Sequence, residues 1–400
     1  MKFVLAPDSF KESMSAAEAV AAMERGIRTV FPDAECVGLP MADGGEGTVD
    51  ALVAARGGAL IVAKALDALG RPRVARYGYV ADERLAIIEI AAAAGIQLID
   101  PADRDPRNAS TFGVGQLITD ALDRGARRFV IGLGGSATTD GGAGMLHALG
   151  ARLLDANGRD LPGGGAALAR LARIDLAGFD PRLFDATFEI ASDVTNPLLG
   201  AEGAAAVFGP QKGADEVMVR ELDAALTVYA RVLAETTGYD VAGESGAGAA
   251  GGLGAAFLGC FDCRMRRGIE VVMQAAGLAV RLDGADYVFT GEGSVDAQTL
   301  RGKAPLGVAE VAARADVPVI AFAGRIGDGA EALYDHGFSV LVPIVAGISD
   351  LSQALRDGPR NLERAVATVC RLLALRASGS ARPGGGASGD PLGTDEPAAR

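Results

Sequence analysis

The sequence predicts an α/β protein of two domains, and three observations carry that prediction. Short apolar runs alternate with amphipathic helical segments near both ends of the chain, polar loops bearing glycine follow most of those runs, and the composition is rich in glycine and poor in rings, with 56 glycines and 5% aromatics. A length of 400 residues exceeds one domain at roughly 100–200 residues each, and 49% hydrophobic residues suffice for sizeable cores. The expected layout is a discontinuous, doubly wound domain over 1–65 and 285–376, with an inserted α/β domain over 66–284. Residues 377–400, read as Ser, Gly, Pro and Ala with almost nothing to bury, are expected to form a disordered tail.

The elements follow in order. Phe3 to Leu5 is a strand that ends in Ala6-Pro-Asp-Ser-Phe-Lys11. Ser15 and Glu18 stand in capping-box spacing, and Ala16, Val20, Met23, Ile27 and Val30 then recur along one helical face. Cys36 to Leu39 is a second strand, running into Pro40-Met-Ala-Asp-Gly-Gly-Glu-Gly-Thr48 and another helix. This βαβα opening reads as half of a doubly wound sheet, with its loops at the carboxyl edge where such sheets bind ligands. Arg73 to Val80 and Leu85 to Ala91 read as a hairpin around Ala81–Arg84. Val114, Leu117, Ile118, Ala121 and Leu122 mark a helix. The Arg127–Ile131 strand then opens into Gly132-Leu-Gly-Gly-Ser-Ala-Thr-Thr-Asp-Gly-Gly142 and a helix over Ala143 to Leu149. Strand, glycine loop, helix is the order that aims free backbone N–H groups at an anion. Phe188 to Ala191 is a strand ending in Ser192-Asp-Val-Thr-Asn-Pro197, and Leu222, Leu226, Tyr229 and Leu233 line a long helix. Gly246 to Gly254 is too glycine-rich for a regular element and predicts a close backbone approach. Tyr287 to Thr290, Val317 to Phe322 and Val340 to Ile344 are buried-strand runs, expected to join the N-terminal strands in one sheet.

Composition excludes several functions. Lys+Arg 38 against Asp+Glu 51 gives a net charge of −13, which disfavours a general nucleic-acid or anionic-membrane surface. The first apolar run is too short for a signal peptide, and no run of about 18 apolar residues is present, so a cytoplasmic protein is expected. Cys260 and Cys263 have redox or half-zinc spacing without a second pair to complete a zinc set, and they read as free thiols. His147 and His336 read as structural, no G-x-S-x-G elbow is present, the first strand opens into Pro-Asp-Ser-Phe-Lys rather than a G-x-G-x-x-G turn, and Gly302-Lys303 lacks the rest of a Walker loop.

Six loops remain that combine lysine, carboxylate, hydroxyl and glycine: Asp8–Lys11, Asp43–Glu46, Gly134–Asp140, Asp193–Asn196, Gly209–Gly213 and Gly291–Lys303. Phosphoryl transfer uses these parts. Backbone N–H groups and lysines neutralise phosphate oxygens, and carboxylates hold Mg²⁺ or take the acceptor's proton.

At the same loops the sequence resembles the type-I glycerate kinase family. The matching stretches are Ala6-Pro-Asp-Ser-Phe-Lys-Glu-Ser13, Ala42-Asp-Gly-Gly-Glu-Gly-Thr48, Gly134–Gly142, Asp193-Val-Thr-Asn-Pro-Leu-Leu-Gly200, Phe208-Gly-Pro-Gln-Lys-Gly-Ala214, Gly246–Gly254 and Gly291–Lys303, in the family's order. The resemblance implies ATP- and Mg²⁺-dependent phosphorylation of D-glycerate, with 2-phosphoglycerate as the expected product. A 3-phosphoglycerate product or a related small hydroxy acid as substrate are the alternatives. It also implies a Rossmann-like discontinuous domain and an active site in the cleft between two domains, and two domains around a cleft suggest closure on substrate. Roles assigned from chemistry follow. Asp193 or Asp296 is the candidate base, and Lys11 contacts phosphate or carboxylate. Ser9, Gly134, Gly135, Ser136, Thr138, Lys212, Gln298 and Lys303 are candidates for phosphate or substrate binding, and Asp43, Glu46, Glu292 and Asp140 for the metal. The sequence leaves the oligomeric state open, a homo-oligomer included.

Overall fold

The computed structural model describes the backbone of residues 1–379, with side chains through residue 375 except Arg301. Thirteen strands are described: β1 Lys2–Leu5, β2 Glu35–Gly38, β3 Ala59–Leu66, β4 Pro72–Val80, β5 Leu85–Glu89, β6 Arg128–Gly132, β7 Arg152–Leu154, β8 Arg173–Asp175, β9 Thr187–Ala191, β10 Cys263–Arg266, β11 Tyr287–Val295, β12 Val319–Ile326 and β13 Phe338–Pro343. Two sheets hold eleven of them, and β7 and β8 form a separate ribbon.

The first sheet has the order β13-β12-β11-β1-β2 and is parallel throughout. Both chain ends therefore build it. Strand alternation sends Phe3 and Leu5 to one face and Val4 and Ala6 to the other, because successive Cβ atoms point oppositely. Phe3, Leu5, Phe289 and Phe322 pack with Met23 and Ile27 of the Ala16–Arg28 helix and with Leu362 and Val366 of the Gly358–Gly379 helix. The capping box at Ser15 is formed as its spacing predicts. Residues 377–379 close that last helix, which corrects the expected start of the tail. The rest of that expectation lies outside the described residues.

The second sheet has the order β10-β9-β6-β5-β4-β3, parallel from β10 to β5 and antiparallel from β5 to β3. β3 lies on the N-terminal side of the boundary expected at residue 65, yet it pairs with β4 in this second sheet. Tyr77, Ile88, Phe129, Ile131 and Phe188 bury one face against the Phe112–Asp123 and Ala249–Cys260 helices. On the other face, Leu85, Ile87, Val130 and Ala191 join a core that also takes in Val4, Ala6, Val288 and Ala321 of the first sheet. The Thr48–Arg56 and Gly268–Ala276 helices supply much of the layer between them. The two sheets thus share a hydrophobic core, and the loops after β1, β2, β6 and β9 come together at the carboxyl ends of those parallel strands.

The glycine-rich stretch at 246–254 behaves as its composition predicts at one point and not at another. A helix does run through Ala249–Cys260, but Ala250, Gly251 and Gly252 adopt left-handed backbone inside it. The reason is contact: a Cβ on Gly251 would sit 1.9 Å from the Thr138 carbonyl oxygen. No described helix is long and apolar enough to cross a membrane.

Candidate active site

Four carboxylates converge at the strand ends. Asp8 follows β1, Glu292 lies within the far half of β11, Asp193 follows β9, and Asp43 lies on the loop after β2. Burial raises Asp8 well above the usual carboxylate range, and the charges of Asp43 and Glu292 add to it. Burial also lifts Asp193 to about 7, again with Asp43 as the nearest like charge. Glu292 is raised by burial, against the pull of Lys303. Asp43 is the neighbour all three share. Crowded carboxylates in a partly dry site resist ionising together, and a cation relieves them.

The backbone explains how the chain brings these groups so close. A Cβ on Gly268 would stand 2.0 Å from the Asp43 carbonyl oxygen, and one on Gly134 would stand 2.7 Å from Gly45 Cα. Only glycine lets the 43–47 loop lie flat against both the start of the 134–142 loop and the Arg267–Gly268 turn. Glu89, at the end of β5, accepts a hydrogen bond from the Val49 amide at 2.8 Å and so anchors the helix after that loop. Its own carboxyl is pushed up to about 7, chiefly by burial.

Cations accompany the carboxylates. Lys303 Nζ lies 3.2 Å from Glu292 Oε2, and Thr299 Oγ1 donates to Glu292 Oε1 at 3.0 Å. Arg267 lies against Gly302, the residue before Lys303, its Nε 3.8 Å from Asp193 Oδ1. Lys11 stands exposed at the mouth, its backbone amide about one contact distance from where a Cβ on Gly293 would lie. Ser9 is half-buried, and its amide donates to Asp8 Oδ1 at 2.6 Å.

The structure corrects part of the expected cradle. Ser136 and Thr138 are buried, with their hydroxyls 3.0 Å apart, so these side chains face the interior rather than an incoming phosphate. Lys212 is buried too and donates from Nζ to the Thr138 carbonyl. Desolvation lowers its ammonium to about 7. Asp140 is fully buried and accepts from Thr111 N and Oγ1, Gly142 N and Gly144 N, at 2.8 to 3.2 Å. With four donors already on its two oxygens, Asp140 is a staple for two helix starts and not an available metal ligand. Glu46 is exposed on the 43–47 loop, where its charge contributes to raising Glu89. Asp296 spends Oδ1 on the Gln298 amide at 2.8 Å, in a local turn that leaves Gln298 exposed. The glycine loop still offers backbone: Gly134 is partly exposed and Gly135 exposed, the latter at φ 72°.

Two members of this cluster, Asp8 and Arg267, were not among the sequence candidates. Asp8 heads a loop that the sequence does flag, whereas Arg267 follows Arg266 outside every glycine loop and reads as surface charge. Among the described residues no three His, Cys, Asp or Glu stand close enough to cage a metal by themselves. The donor set still fits Mg²⁺, which takes hard oxygens from one or two carboxylates and completes its shell with phosphate and water. Asp43 and Glu292 supply such oxygens, while Asp193 Oδ1, buried without a hydrogen-bond partner, is an acceptor left open for a substrate proton.

Carboxylates, cations and open glycine backbone meeting at the carboxyl ends of parallel strands from two sheets describe an anion-handling α/β enzyme suited to phosphoryl transfer. Comparison with known proteins agrees. The Glycerate kinase family profile matches residues 3–374. The chain is 46% identical to the glycerate 2-kinase of Escherichia coli (strain K12), covering 94% of this chain and 98% of that one. It is 47% identical to the glycerate kinase of Halalkalibacterium halodurans, over 92% and 96%. The crystal structure of a candidate glycerate kinase 2 from Salmonella typhimurium LT2 superposes with a TM-score of 0.85 at 47% identity, covering 94% of this chain and 99% of that one. The chain belongs to the glycerate kinase family.

Proposed function

We infer that the protein is a glycerate 2-kinase, moving the γ-phosphoryl group of ATP to the 2-hydroxyl of D-glycerate. What carries this reading is the meeting of Asp8, Asp43, Asp193 and Glu292 with Lys303, Arg267 and the Gly134–Gly135 backbone, in a chain that matches the family almost end to end.

Of the two candidate bases, Asp193 is favoured. It is held near neutrality beside the cleft cations, while Asp296 is committed to its own turn. As the substrate oxygen bonds to the γ-phosphorus and the bond to the β-bridging oxygen breaks, the hydroxyl proton passes to the Asp193 carboxylate. Such transfer contributes typically 10²–10⁴-fold. Lys303, Lys11 and the N–H groups of Gly134 and Gly135 neutralise charge on the phosphate oxygens. Asp43 and Glu292 would hold Mg²⁺, with phosphate and water completing its shell, and the ion would supply charge neutralisation on the transferring group. A cytoplasmic setting suits the four free cysteines.

The test is a coupled assay with ATP, Mg²⁺, D-glycerate and enolase, without phosphoglycerate mutase. Direct formation of phosphoenolpyruvate is expected, since enolase consumes only the 2-phosphate. Glycerate-dependent ADP without phosphoenolpyruvate would move the reaction to the 3-hydroxyl, and no glycerate-dependent ADP would overturn the kinase reading.

A further inference from the structure

Beside the carboxylate cluster lies a guanidinium that is ion-paired but not hydrogen-bonded. Arg267 lies within 3.7 to 3.8 Å of Asp193, Glu270 and Glu310, yet its guanidinium makes no hydrogen bond with any described residue. Three carboxylates compensate the charge while its five fixed donors stay unspent. The side chain is 36% exposed, so those donors are reachable. Two glycines give it room and hold its backbone in place. Gly268 presses the backbone against the Asp43 peptide, and Gly302, at φ 106°, leaves 3.0 Å between a would-be Cβ and Arg267 Nη2. Any side chain at 302 would crowd the fork. The other cleft cation near Asp43, Lys303, is by contrast already bound to Glu292 and the Ser294 carbonyl. Lys212 is sealed against Thr138.

We propose that Arg267 is the specificity-determining residue that receives the carboxylate of D-glycerate, bidentately, beside the base. A planar fork matches a planar carboxylate in a way that a lysine point charge does not. Docked there, the acid's 2-hydroxyl, one carbon from the carboxylate, falls next to Asp193, which Arg267 already neighbours. The choice of a 2-hydroxy acid over a neutral polyol then follows from one side chain. This proposal rests on the glycerate reading above.

The experiment compares wild type, Arg267→Gln and Arg267→Lys with D-glycerate and with glyceramide, its uncharged amide, varying ATP separately. Arg267→Gln is expected to raise KM for D-glycerate about 10–100-fold, the worth of a charged bidentate pair, and to leave KM for ATP within about twofold. The preference for acid over amide shrinks by the same factor. Arg267→Lys falls between, keeping charge and losing the fork, and it carries the comparison alone if Arg267→Gln does not fold. A raised KM for ATP with an unchanged KM for glycerate places the fork on phosphate and overturns the proposal, as does an unchanged preference for acid over amide. A wild-type chain that phosphorylates neither compound overturns the underlying activity instead, and this is seen before any variant is made.

Discussion

Burial beside Asp43 holds the Asp193 carboxyl at about 7, whereas Asp296 lends an oxygen to the Gln298 amide. The two aspartates should therefore respond differently to the same change. Asp193→Asn is expected to lower kcat by about 10²–10⁴-fold with KM for glycerate nearly unchanged, and Asp296→Asn to stay close to wild type. Normal turnover in Asp193→Asn would remove it from the role. The same carboxyl sets a pH dependence. As a base it must be ionised, so kcat/KM should rise with pH through about 7. Stability runs the other way. A carboxyl whose folded pKa lies above its unfolded value stabilises fully below that unfolded value and loses the contribution as pH climbs through the folded one. Asp193 and Glu89 both reach about 7 in the fold, so the loss falls between the ordinary carboxylate range and about 7. Thermal melting should accordingly give a lower Tm at pH 8 than at pH 6, and Asp193→Asn should flatten that slope. An unchanged slope would mean that the carboxyl is not held as described.

At the scale of elements, the 249–260 helix is distorted so that its glycines can lie on the back of the 134–142 loop. Gly251 has φ 69° and no room for a methyl beside the Thr138 carbonyl. Gly251→Ala should cost on the order of 3 kcal/mol or more, through strain and displacement of a packed backbone. Urea unfolding checks this, and a midpoint equal to wild type would refute the contact. The sequence announces some of this architecture clearly. Periodicity gives the Ala16–Arg28 helix with its cap, and apolar runs before polar loops give β1, β6, β9, β11 and β12. It hides β3, because Ala59-Leu-Ile-Val-Ala-Lys-Ala-Leu66 mixes strand and helix formers without alternation. In the site, loop chemistry points to Asp43, Asp193, Glu292 and Lys303, because each sits in a polar glycine-bearing or post-strand loop, although only Glu292 and Lys303 are local partners. It misleads at Ser136, Thr138, Lys212 and Asp140. Whether a hydroxyl, lysine or carboxylate faces solvent or core depends on packing from segments over 25 residues away, such as Thr111 on Asp140 and Lys212 on Thr138. Arg267 escapes for the same reason, since its importance comes from Asp193, Gly302 and Glu310 and not from its own stretch.

For the molecule as a whole, the shared core limits how the cleft can close. Val4 and Val288 of one sheet belong to the same apolar cluster as Leu85 and Val130 of the other, bridged by the Thr48–Arg56 and Gly268–Ala276 helices. Closure by a wide hinge would tear that cluster open, so a small sliding or rotation of one sheet on the bridging helices is expected. Small-angle scattering with a non-hydrolysable ATP analogue, Mg²⁺ and D-glycerate should show a modest compaction, and none at all would count against closure. The order of the first sheet also bears on how the protein is made. β1 is hydrogen-bonded to β2 on one side and to β11 on the other, and β11 begins at Tyr287. At about 5–20 residues per second, a ribosome needs roughly 12–50 s to travel from one partner to the other. The six-stranded sheet, all of whose strands lie between residues 59 and 266, can assemble in that interval. The first forty residues must wait beside it, with an unsatisfied strand edge available to proteases, chaperones and neighbouring nascent chains. Limited proteolysis of ribosome-stalled chains ending before Tyr287 should cut within residues 1–40 while sparing the strands of the second sheet. Equal protection of both would show that the N-terminal segment finds a temporary partner.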